Sequence, residues 1–562
     1  MLKNRIKEKG AIIKKGHKGV SIALGFPDTY YLGMSNLGFQ SIYSMFNDDA
    51  RVACERFFID KDGMTPLRTM ENRRTLNEFD AIAFSLSYEL NAVNVLKALN
   101  VSRIKLKRRD RSRLDPLIMV GGPCATINPL PLFPFIDVFC CGDGEELVPL
   151  VSDVLSLSRS KEDALEMFNE LEGFVVPEYF EKAPCAKSPA LVKKENFKPL
   201  ISQILSNQTE FANTCLVEIM RGCPYGCRFC LIGYAQLPWK HHTVDAILEA
   251  LQSRMNAAEE SKYVQRKTAG SSKTKSYSKR ILPKLGLIAP SSTDHPHFVE
   301  LVNALNQQGY KSISFSSLKF NELNHDYLDI IKRNKIKSIT IAPETGSDQL
   351  RKAMNKNISN RELVTVCAAL ASHRIKMIKL YFILGIPAET NEDLLSTIDF
   401  IHQISDAISP YKSILSLSFN YLVPKPMTPF QYAPINEPDM LKEKAAMIVQ
   451  HIKKIKKIQF SFMKPETAYF QALLALGDTD ISSMLEEMTT NESARKKILL
   501  RFIDNHKTLL FSADKKCREA VNRVIKSRFP DNYLLNEYHK SLIKVLTPPC
   551  PAAHCIQCPL CS

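Results

Sequence analysis

Three cysteines between Cys223 and Cys230 constrain this chain more than any other feature. They read Cys-Pro-Tyr-Gly-Cys-Arg-Phe-Cys, a C-x3-C-x2-C spacing that follows the apolar run 214–220. Three thiolates this close can hold three irons of a cubane cluster and leave the fourth iron without a protein ligand. An open coordination position distinguishes a catalytic metal site from a closed structural one. A zinc site or a chance cluster of thiols is the alternative, but the strand and loop setting favours iron–sulfur chemistry.

From about residue 210 to about residue 460, apolar runs and helical patterns alternate six times, beginning with the run before this loop. Six βα units in series predict a partial (β/α)6 barrel over 210–465, with its chemistry at the carboxyl ends of the strands. The predicted strands are Thr214–Met220, Lys284–Ala289, Ser312–Ser316, Ser338–Ala342, Met377–Gly385 and Ser413–Val423. Within 255–283, the polar stretch 259–279 is expected to be a disordered insertion, because it has few apolar residues to bury.

The first 180 residues predict a separate α/β domain. Short apolar runs suited to central parallel strands alternate there with helical patterns over Gly33–Phe46 and Glu89–Leu99. This order indicates a doubly wound sheet, which binds ligands at the carboxyl ends of its strands. The predicted strands are Val20–Phe26, Ala81–Ser87, Leu117–Gly121 and Ile136–Cys140. Residues 181–209 are rich in proline and lysine and predict a linker, and 466–562 predict a helical, cysteine-rich C-terminal region.

Composition bounds the class of protein. At 562 residues the chain exceeds one ordinary core, so two or three domains are expected. No apolar run is long enough to cross a bilayer, and seven of fifteen cysteines fall in two tight clusters, which favours the cytoplasm over a disulfide framework. The net charge of +16 is concentrated in segments such as Arg103–Arg113 and Lys453–Lys457. These segments suit either RNA or, more simply, solvated loops.

The segment RGCPYGCRFC resembles the cluster loop of the radical S-adenosylmethionine (radical SAM) enzymes. The resemblance implies a [4Fe–4S] cluster on Cys223, Cys227 and Cys230, whose free iron is chelated by the amino and carboxyl groups of S-adenosylmethionine (SAM). One electron from the reduced cluster then cleaves SAM to a 5′-deoxyadenosyl radical. It also implies that Phe229 packs on the adenine.

Further resemblances lie at the ends of the predicted barrel strands. They imply that Glu344 contacts the ribose or amino end of SAM, that Gly385 and Ile386 border the adenine, and that Ser316 lies near the methionyl group. Arg351 is carried over as a further cofactor-binding residue after the fourth strand. The Gly-Gly-Glu that the family usually has after its second strand is absent, since Ala289-Pro290-Ser291 stands there. Lys425, after the sixth strand, is either substrate-facing or a surface lysine.

The N-terminal domain resembles the cobalamin-binding-like domain that precedes many radical SAM cores. Cobalamin mutases ligate cobalt through the histidine of D-x-H-x-x-G, and the matching residues here are Asp28-x-Tyr30-x-x-Gly33. A phenolate suits cobalt poorly, so cobalamin is neither excluded nor supported. The segments FPDTYYLGMSNLG, APETGSDQLRKAMNK and YFILGIPAETNEDL are similar to a subfamily that fuses the two domains, over residues 15–480.

Four more cysteines crowd the C-terminus. Cys555, Cys558 and Cys561 repeat the spacing of ferredoxin cluster ligands, and Cys550 precedes them. The quartet predicts a second iron–sulfur cluster, with a zinc site that includes His554 and a metal-free tail as the alternatives.

These patterns favour a radical SAM enzyme that abstracts hydrogen from its substrate or transfers a group to it. Its partners are expected to be SAM and an electron donor such as flavodoxin or ferredoxin, with no membrane. The alternatives are a cobalamin-dependent radical SAM methyltransferase and a non-catalytic iron–sulfur or zinc protein that binds RNA. No residue pattern identifies the substrate.

Overall fold

The N-terminal domain of the computed structural model is built on a six-stranded sheet. The structure describes residues 6–59, 66–268, 282–315, 325–551 and 560, without the side chains of 257–268. A short strand, β1 (Glu8–Lys9), precedes the sheet. The strands of the sheet are β2 (Val20–Phe26), β3 (Val52–Phe58), β4 (Ala81–Ser85), β5 (Leu117–Gly121), β6 (Val138–Cys140) and β7 (Phe174–Val175). Their order is β3-β2-β4-β5-β6-β7, and only β7 runs antiparallel to its neighbour. Strands β2 to β6 therefore have the flavodoxin-like order, whose switch point lies between β2 and β4.

Helices cover both faces of this sheet. Along β2, Ile22, Leu24 and Phe26 pack on one side with residues of α2 and α5, and Ala23 packs on the other with α3. The predicted doubly wound α/β fold is confirmed. The helices are α1 (Tyr30–Gly33), α2 (Leu37–Asp48), α3 (Ala92–Val101), α4 (Pro123–Ile127), α5 (Gly144–Leu157), α6 (Lys161–Glu170) and α7 (Pro177–Lys182).

A parallel barrel follows in two sheets. The order β9-β12-β13 forms one sheet and β14-β15-β16-β17 the other, each in chain order and parallel throughout. Strand β8 pairs with β1, and β10 forms a hairpin with β11. The strands are β8 (Leu205–Ser206), β9 (Thr214–Glu218), β10 (Met220–Arg221), β11 (Lys240–His241), β12 (Lys284–Ile288), β13 (Ile313–Phe315), β14 (Ser338–Glu344), β15 (Met377–Leu384), β16 (Ile414–Tyr421) and β17 (Ile458–Phe462).

The barrel helices pack outside these strands. Two of them begin at strong caps, because the side chains of Ser359 and Thr390 each accept a hydrogen bond from a backbone N–H of the first turn. The helices are α8 (Ile232–Ala235), α9 (Val244–Thr268), α10 (Phe298–Gln307), α11 (His325–Arg333), α12 (Asp348–Ala353), α13 (Asn360–Ser372), α14 (Asn391–Ile408) and α15 (Pro438–Ile452).

Two details of the barrel differ from the sequence prediction. The strand β17 adds a seventh parallel strand to the six predicted ones. Helix α9 continues to Thr268, so the prediction of disorder is wrong for 259–268, and 269–279 lie outside the described residues. Alanine, glutamate, glutamine, lysine and arginine dominate the end of α9, and their high helix propensity accounts for the extension.

The C-terminal region is helical as predicted. Its helices are α16 (Pro465–Leu476), α17 (Ile481–Thr490), α18 (Arg495–Asn505), α19 (Lys507–Phe511), α20 (Lys515–Arg518) and α21 (Tyr533–Leu542). Buried residues of α16 to α18 join those of α3 and of β14 to β16 in one continuous hydrophobic core. Across the parts of the chain that the structure describes, no helix is both long and apolar enough to cross a membrane.

Candidate active site

The predicted cysteine loop leaves the barrel at the carboxyl end of β9. Gly222 turns the chain with a φ of 75°, and a Cβ there would lie 2.4 Å from the carbonyl oxygen of Gln236. Only glycine combines this backbone conformation with so close an approach. The loop then folds over Gly226, whose carbonyl oxygen accepts hydrogen bonds from the Tyr234 hydroxyl and the Asn355 amide, both at 3.0 Å. Protein contacts therefore hold the loop at its start and at its middle.

The three thiols of the loop interact electrostatically. Burial raises the pKa of each thiol, to about 12 at Cys227, and the Cys227 and Cys230 thiols raise the pKa of Cys223 further. Over the described ranges, no group of three or more His, Cys, Asp and Glu side chains is arranged to hold a metal ion. The loop fits a cluster through its donor chemistry, since it carries three neighbouring thiols on one clamped loop.

Arg228, between the second and third cysteines, clamps this loop. Its side chain is fully buried, and its guanidinium donates to the Glu537 carboxylate at 3.1 Å and to the carbonyl oxygen of Val545 at 2.8 Å. It also donates to the carbonyl oxygen of Ala353 at the end of α12. The backbone N–H of Arg228 donates to Met354, and its carbonyl oxygen accepts from Phe430. The ligand-bearing loop is therefore tied to the barrel and to the C-terminal segment.

Glu344 faces the cysteine loop from the end of β14. A register shift in the β14–β15 pairing lies between Ile341 and Glu344, and Glu344 has a φ of 65°. Such bulges redirect side chains next to active sites. The Lys356 ammonium donates to Glu344 Oε1 at 3.0 Å, and Cys227 and Cys230 are close enough to influence the pKa of Lys356. Although burial opposes it, the pKa of Lys356 is raised by Glu344 and the two thiols.

Phe229, Gly385 and Ile386 meet near one apolar cluster. The partly buried ring of Phe229 packs against the group that contains Ile386, Tyr234 and Met354. Gly385 ends β15 with a φ of 81°, and its N–H donates to the Glu389 carboxylate at 2.8 Å. Two segments that the sequence predicts to border one cofactor are thus brought together, although the cofactor role of each residue stays a prediction.

Arg351 is held by residues around α12, and its cofactor-binding role stays a prediction. It is fully buried, and its guanidinium donates to Asp348, Asn360 and the carbonyl oxygen of Ile358. Asp348 begins α12, and Ile358 and Asn360 lie at the start of α13, so these contacts join the two helices that follow β14. Ser316 lies outside the described residues.

A further pair beside the loop carries no signal in the sequence. The Tyr225 hydroxyl donates to Asp294 at 3.1 Å, and Asp294 contributes to the raised pKa of the Cys223 thiol. Asp294 ends the short turn after β12, near the position where the family usually has Gly-Gly-Glu. Its role depends on the contact with Tyr225 across 69 residues of sequence, which no local motif encodes.

Comparison with known proteins identifies the family. The sequence profile of the radical SAM superfamily matches residues 273–401, and that of the N-terminal region of radical SAM proteins matches 38–177. A protein of Methanocaldococcus jannaschii, MJ0966, is 30% identical over 418 residues, which cover 74% of this chain and 82% of that protein. This chain belongs to the radical SAM superfamily. The predicted family is confirmed, and with it an enzyme whose family uses a [4Fe–4S] cluster and SAM.

Two other similarities are more limited. The tRNA-2-methylthio-N(6)-dimethylallyladenosine synthase of Lawsonia intracellularis is 25% identical over 39% of this chain and 44% of its own length. The structure of the radical SAM methyltransferase TsrM from Kitasatospora setae, with tryptophan and a SAM analogue bound, superposes with a TM-score of 0.50. That match has 10% identity and covers 86% of this chain and 99% of TsrM, so it supports the radical SAM fold alone.

In this radical SAM enzyme, the carboxyl ends of strands in the N-terminal sheet lie against the carboxyl ends of barrel strands. Lys425, after β16, pairs with Glu89 after β4, and Gln471 of α16 donates to the same carboxylate at 2.9 Å. Arg221, before the cysteine loop, pairs with Glu145 after β6 at 2.6 Å. Lys425 therefore belongs to the domain interface and is not a surface lysine.

Tyr30, which replaces the cobalt-ligating histidine of the cobalamin mutases, is engaged within its own domain. Its side chain is buried, and its hydroxyl donates to Glu8 at 2.6 Å and contacts Ser206 at 2.7 Å. Burial and the bond to Glu8 raise the pKa of Tyr30 well above its usual value. The phenol is therefore a neutral structural group, and it does not offer a phenolate to a metal.

The C-terminal cysteines are described only in part. Cys555, Cys558 and Cys561 lie outside the described residues. The backbone N–H of Cys550 donates to the carbonyl oxygen of Pro224 at 2.8 Å, one residue after Cys223. The first cysteine of the quartet is thus docked on the cysteine loop. Its metal-binding role stays a prediction.

Proposed function

We propose that this chain binds a [4Fe–4S] cluster on Cys223, Cys227 and Cys230 and cleaves SAM reductively to modify an organic substrate. The observation that carries the proposal is the clamped three-cysteine loop at the carboxyl end of the first barrel strand, with Glu344 and Lys356 beside it. When bound, such a cluster would supply the one electron that cleaves SAM reductively to methionine and a 5′-deoxyadenosyl radical, and that radical would abstract hydrogen from the substrate.

Different residues of the chain would bind different parts of SAM. Phe229 and Ile386 supply apolar surface for the adenine, and the N–H of Gly385 is fixed beside them by Glu389. Glu344 supplies a carboxylate acceptor for the ribose or the amino group, and the hydrogen bond from the Lys356 ammonium, at 3.0 Å, orients that carboxylate. Ser316 is proposed to contact the methionyl group. For Arg351 we propose a positioning role, since its partners hold the turn before α13.

The products of SAM distinguish the reaction types. The protein is reconstituted with iron and sulfide without oxygen, and SAM and dithionite are added. We expect 5′-deoxyadenosine by mass spectrometry, in amounts that exceed those from a boiled control. A well-formed cluster without SAM cleavage would overturn the proposal and favour a non-catalytic binding protein.

A cobalamin-dependent methyltransferase is the second candidate. One observation favours it: the strand ends of the N-terminal sheet lie against the strand ends of the barrel. The Glu89–Lys425 and Glu145–Arg221 ion pairs join the two. TsrM, whose structure superposes on this chain, is itself a radical SAM methyltransferase, which is consistent with this candidate. Because Tyr30 is engaged elsewhere, a corrinoid would bind without a ligand from this position. S-adenosylhomocysteine that forms only with added corrinoid would support this candidate.

The remaining partners follow from the same chemistry. We propose a flavodoxin or ferredoxin as the electron donor and a second cluster on Cys550, Cys555, Cys558 and Cys561, which predicts about eight irons for each chain when both clusters are complete. The cytoplasm is the proposed location, because it keeps such thiols reduced. RNA has weaker support, since Arg111 of the basic segment is buried against Asp137 and not available to a ligand.

A further inference from the structure

The inner wall of the barrel on β14 to β17 carries polar side chains in ordered rows. Along β15, the residues Ile378, Leu380 and Phe382 are fully buried against the helices, so the alternating residues Lys379 and Tyr381 face the inside. The same alternation holds on β16, where Leu415, Leu417 and Phe419 are buried. The inward-facing polar residues of the four strands include Ser338, Thr340, Lys379, Tyr381, Ser416, Ser418, Asn420, Gln459 and Ser461.

Lys379 stands between two hydroxyl groups. The strand register places it directly beside Thr340 on one side and Ser416 on the other, and Gln459 follows Ser416 in the same row. Paired positions on neighbouring strands lie about 4.8 Å apart, so one anion can contact the ammonium and a hydroxyl together. Among the described residues, none of these four side chains has a hydrogen-bond or ion-pair partner.

The next row towards the mouth of the barrel offers an aromatic surface. Tyr381 is 42% exposed although it sits mid-strand, and its neighbour in the register is Ser418. Residues two apart on a strand lie roughly 6.6 Å from each other, which places the ring of Tyr381 one layer above Lys379. The one carboxylate on β14 to β17 is Glu344 at the mouth, and it pairs with Lys356, so no carboxylate of these strands neutralises Lys379.

We infer that this wall is the substrate site, and that the substrate is a small molecule with a planar unsaturated ring and an anionic group. The anion, a carboxylate or a phosphate, contacts Lys379, Thr340 and Ser416, and the ring stacks on Tyr381. This arrangement directs the ring towards the strand ends where the radical is generated. The position of the radical rests on the proposed function. An unpaired ammonium between hydroxyl groups favours an anion over a neutral ligand.

Equilibrium dialysis of three probes tests the site without reductant, so the outcome is independent of SAM cleavage. The full-length reconstituted protein is dialysed against indole-3-acetate, phenyl phosphate and the neutral indole-3-acetamide. At least one anionic probe is expected to bind ten times more tightly than the amide. The tighter of the two anions identifies the group as a carboxylate or a phosphate.

Variants assign the binding to the wall. Lys379→Met is expected to weaken the preferred anion at least tenfold and the amide little, and Tyr381→Leu to weaken all three probes. Lys379→Gln repeats the test if the methionine variant fails to fold, as judged by circular dichroism and iron content. Lys412→Met removes an exposed lysine just before β16 and serves as the matched control. The inference would be overturned if indole-3-acetate and indole-3-acetamide bound with equal affinity, or if the loss of Lys379 left the affinity for the anion unchanged. It would also be overturned if no probe bound at millimolar concentrations.

Discussion

Cys227→Ala is expected to remove the iron of the first cluster and to lower 5′-deoxyadenosine formation at least about 100-fold, since even changes outside the ligand shell weaken metal sites 10- to 100-fold. Two thiolates cannot hold three irons of a cubane, and no other described cysteine lies in the 223–230 loop. The measurements are iron content for each chain and product analysis of SAM. If the C-terminal quartet holds its own cluster, iron falls to about half and not to zero.

Cys367→Ala is the matched control for this prediction. Cys367 is a fully buried thiol in α13, within the same barrel but among apolar neighbours. Its loss leaves a small cavity and no missing ligand, so iron content and SAM cleavage are expected to stay near those of the unchanged protein. A Cys227→Ala protein that matches Cys367→Ala in both measurements would contradict the assignment of the cluster to this loop.

Arg228→Met is expected to lower the free energy of unfolding by about 3–5 kcal/mol, the range for loss of one partner of a buried ion pair. The guanidinium is fully buried, and its removal leaves the Glu537 carboxylate at the same site with only Lys540 and Thr547 as partners. The carbonyl oxygens of Val545 and Ala353 lose a donor as well. Anaerobic urea titration of the reconstituted protein measures the change. Limited proteolysis is expected to cut the segment after Val545 more readily.

Arg501→Met provides the comparison for Arg228. Arg501 pairs with Glu487 on the surface, where both side chains are about half exposed, and such pairs contribute roughly 0–1 kcal/mol. A double variant of Arg228→Met with Glu537→Gln is expected to be destabilised by clearly less than the sum of the two single changes. An Arg228→Met protein as stable as Arg501→Met would show that the clamp does not hold the loop.

The sequence predicts those strands whose buried residues form a continuous apolar run. Strand β3 was missed because its sequence, VACERFF, places two charges in the middle of a fully buried strand. Glu55 is satisfied by Thr69 and Asn72, and Arg56 by Glu8 and Glu71, which are separate in sequence and meet only in the fold. Strand β17 was missed for the opposite reason, since most of its residues are exposed and give no burial pattern.

The features of the candidate site also fall into two groups, those that the local sequence predicts and those that only the fold brings together. The cysteine spacing is a local property, so the three predicted ligands could be read directly from the sequence. The bond between Arg228 and Glu537 spans 309 residues, and the one between Lys425 and Glu89 spans 336. Contacts at such separations depend on how complete domains pack, and no spacing or composition encodes them. For Arg351, the motif position predicts a cofactor-binding role, and the contacts with Ile358 and Asn360 leave that role a prediction.

Electron paramagnetic resonance of the reduced cluster, recorded before and after addition of SAM, tests the central claim most directly. The Cys555→Ala/Cys558→Ala variant is used, so that a signal from the C-terminal quartet does not overlap with that of the 223–230 loop. If one iron of the cluster is open and binds SAM, the g values of the reduced cluster shift when SAM is added. A signal that SAM leaves unchanged would contradict a SAM-binding cluster on Cys223, Cys227 and Cys230.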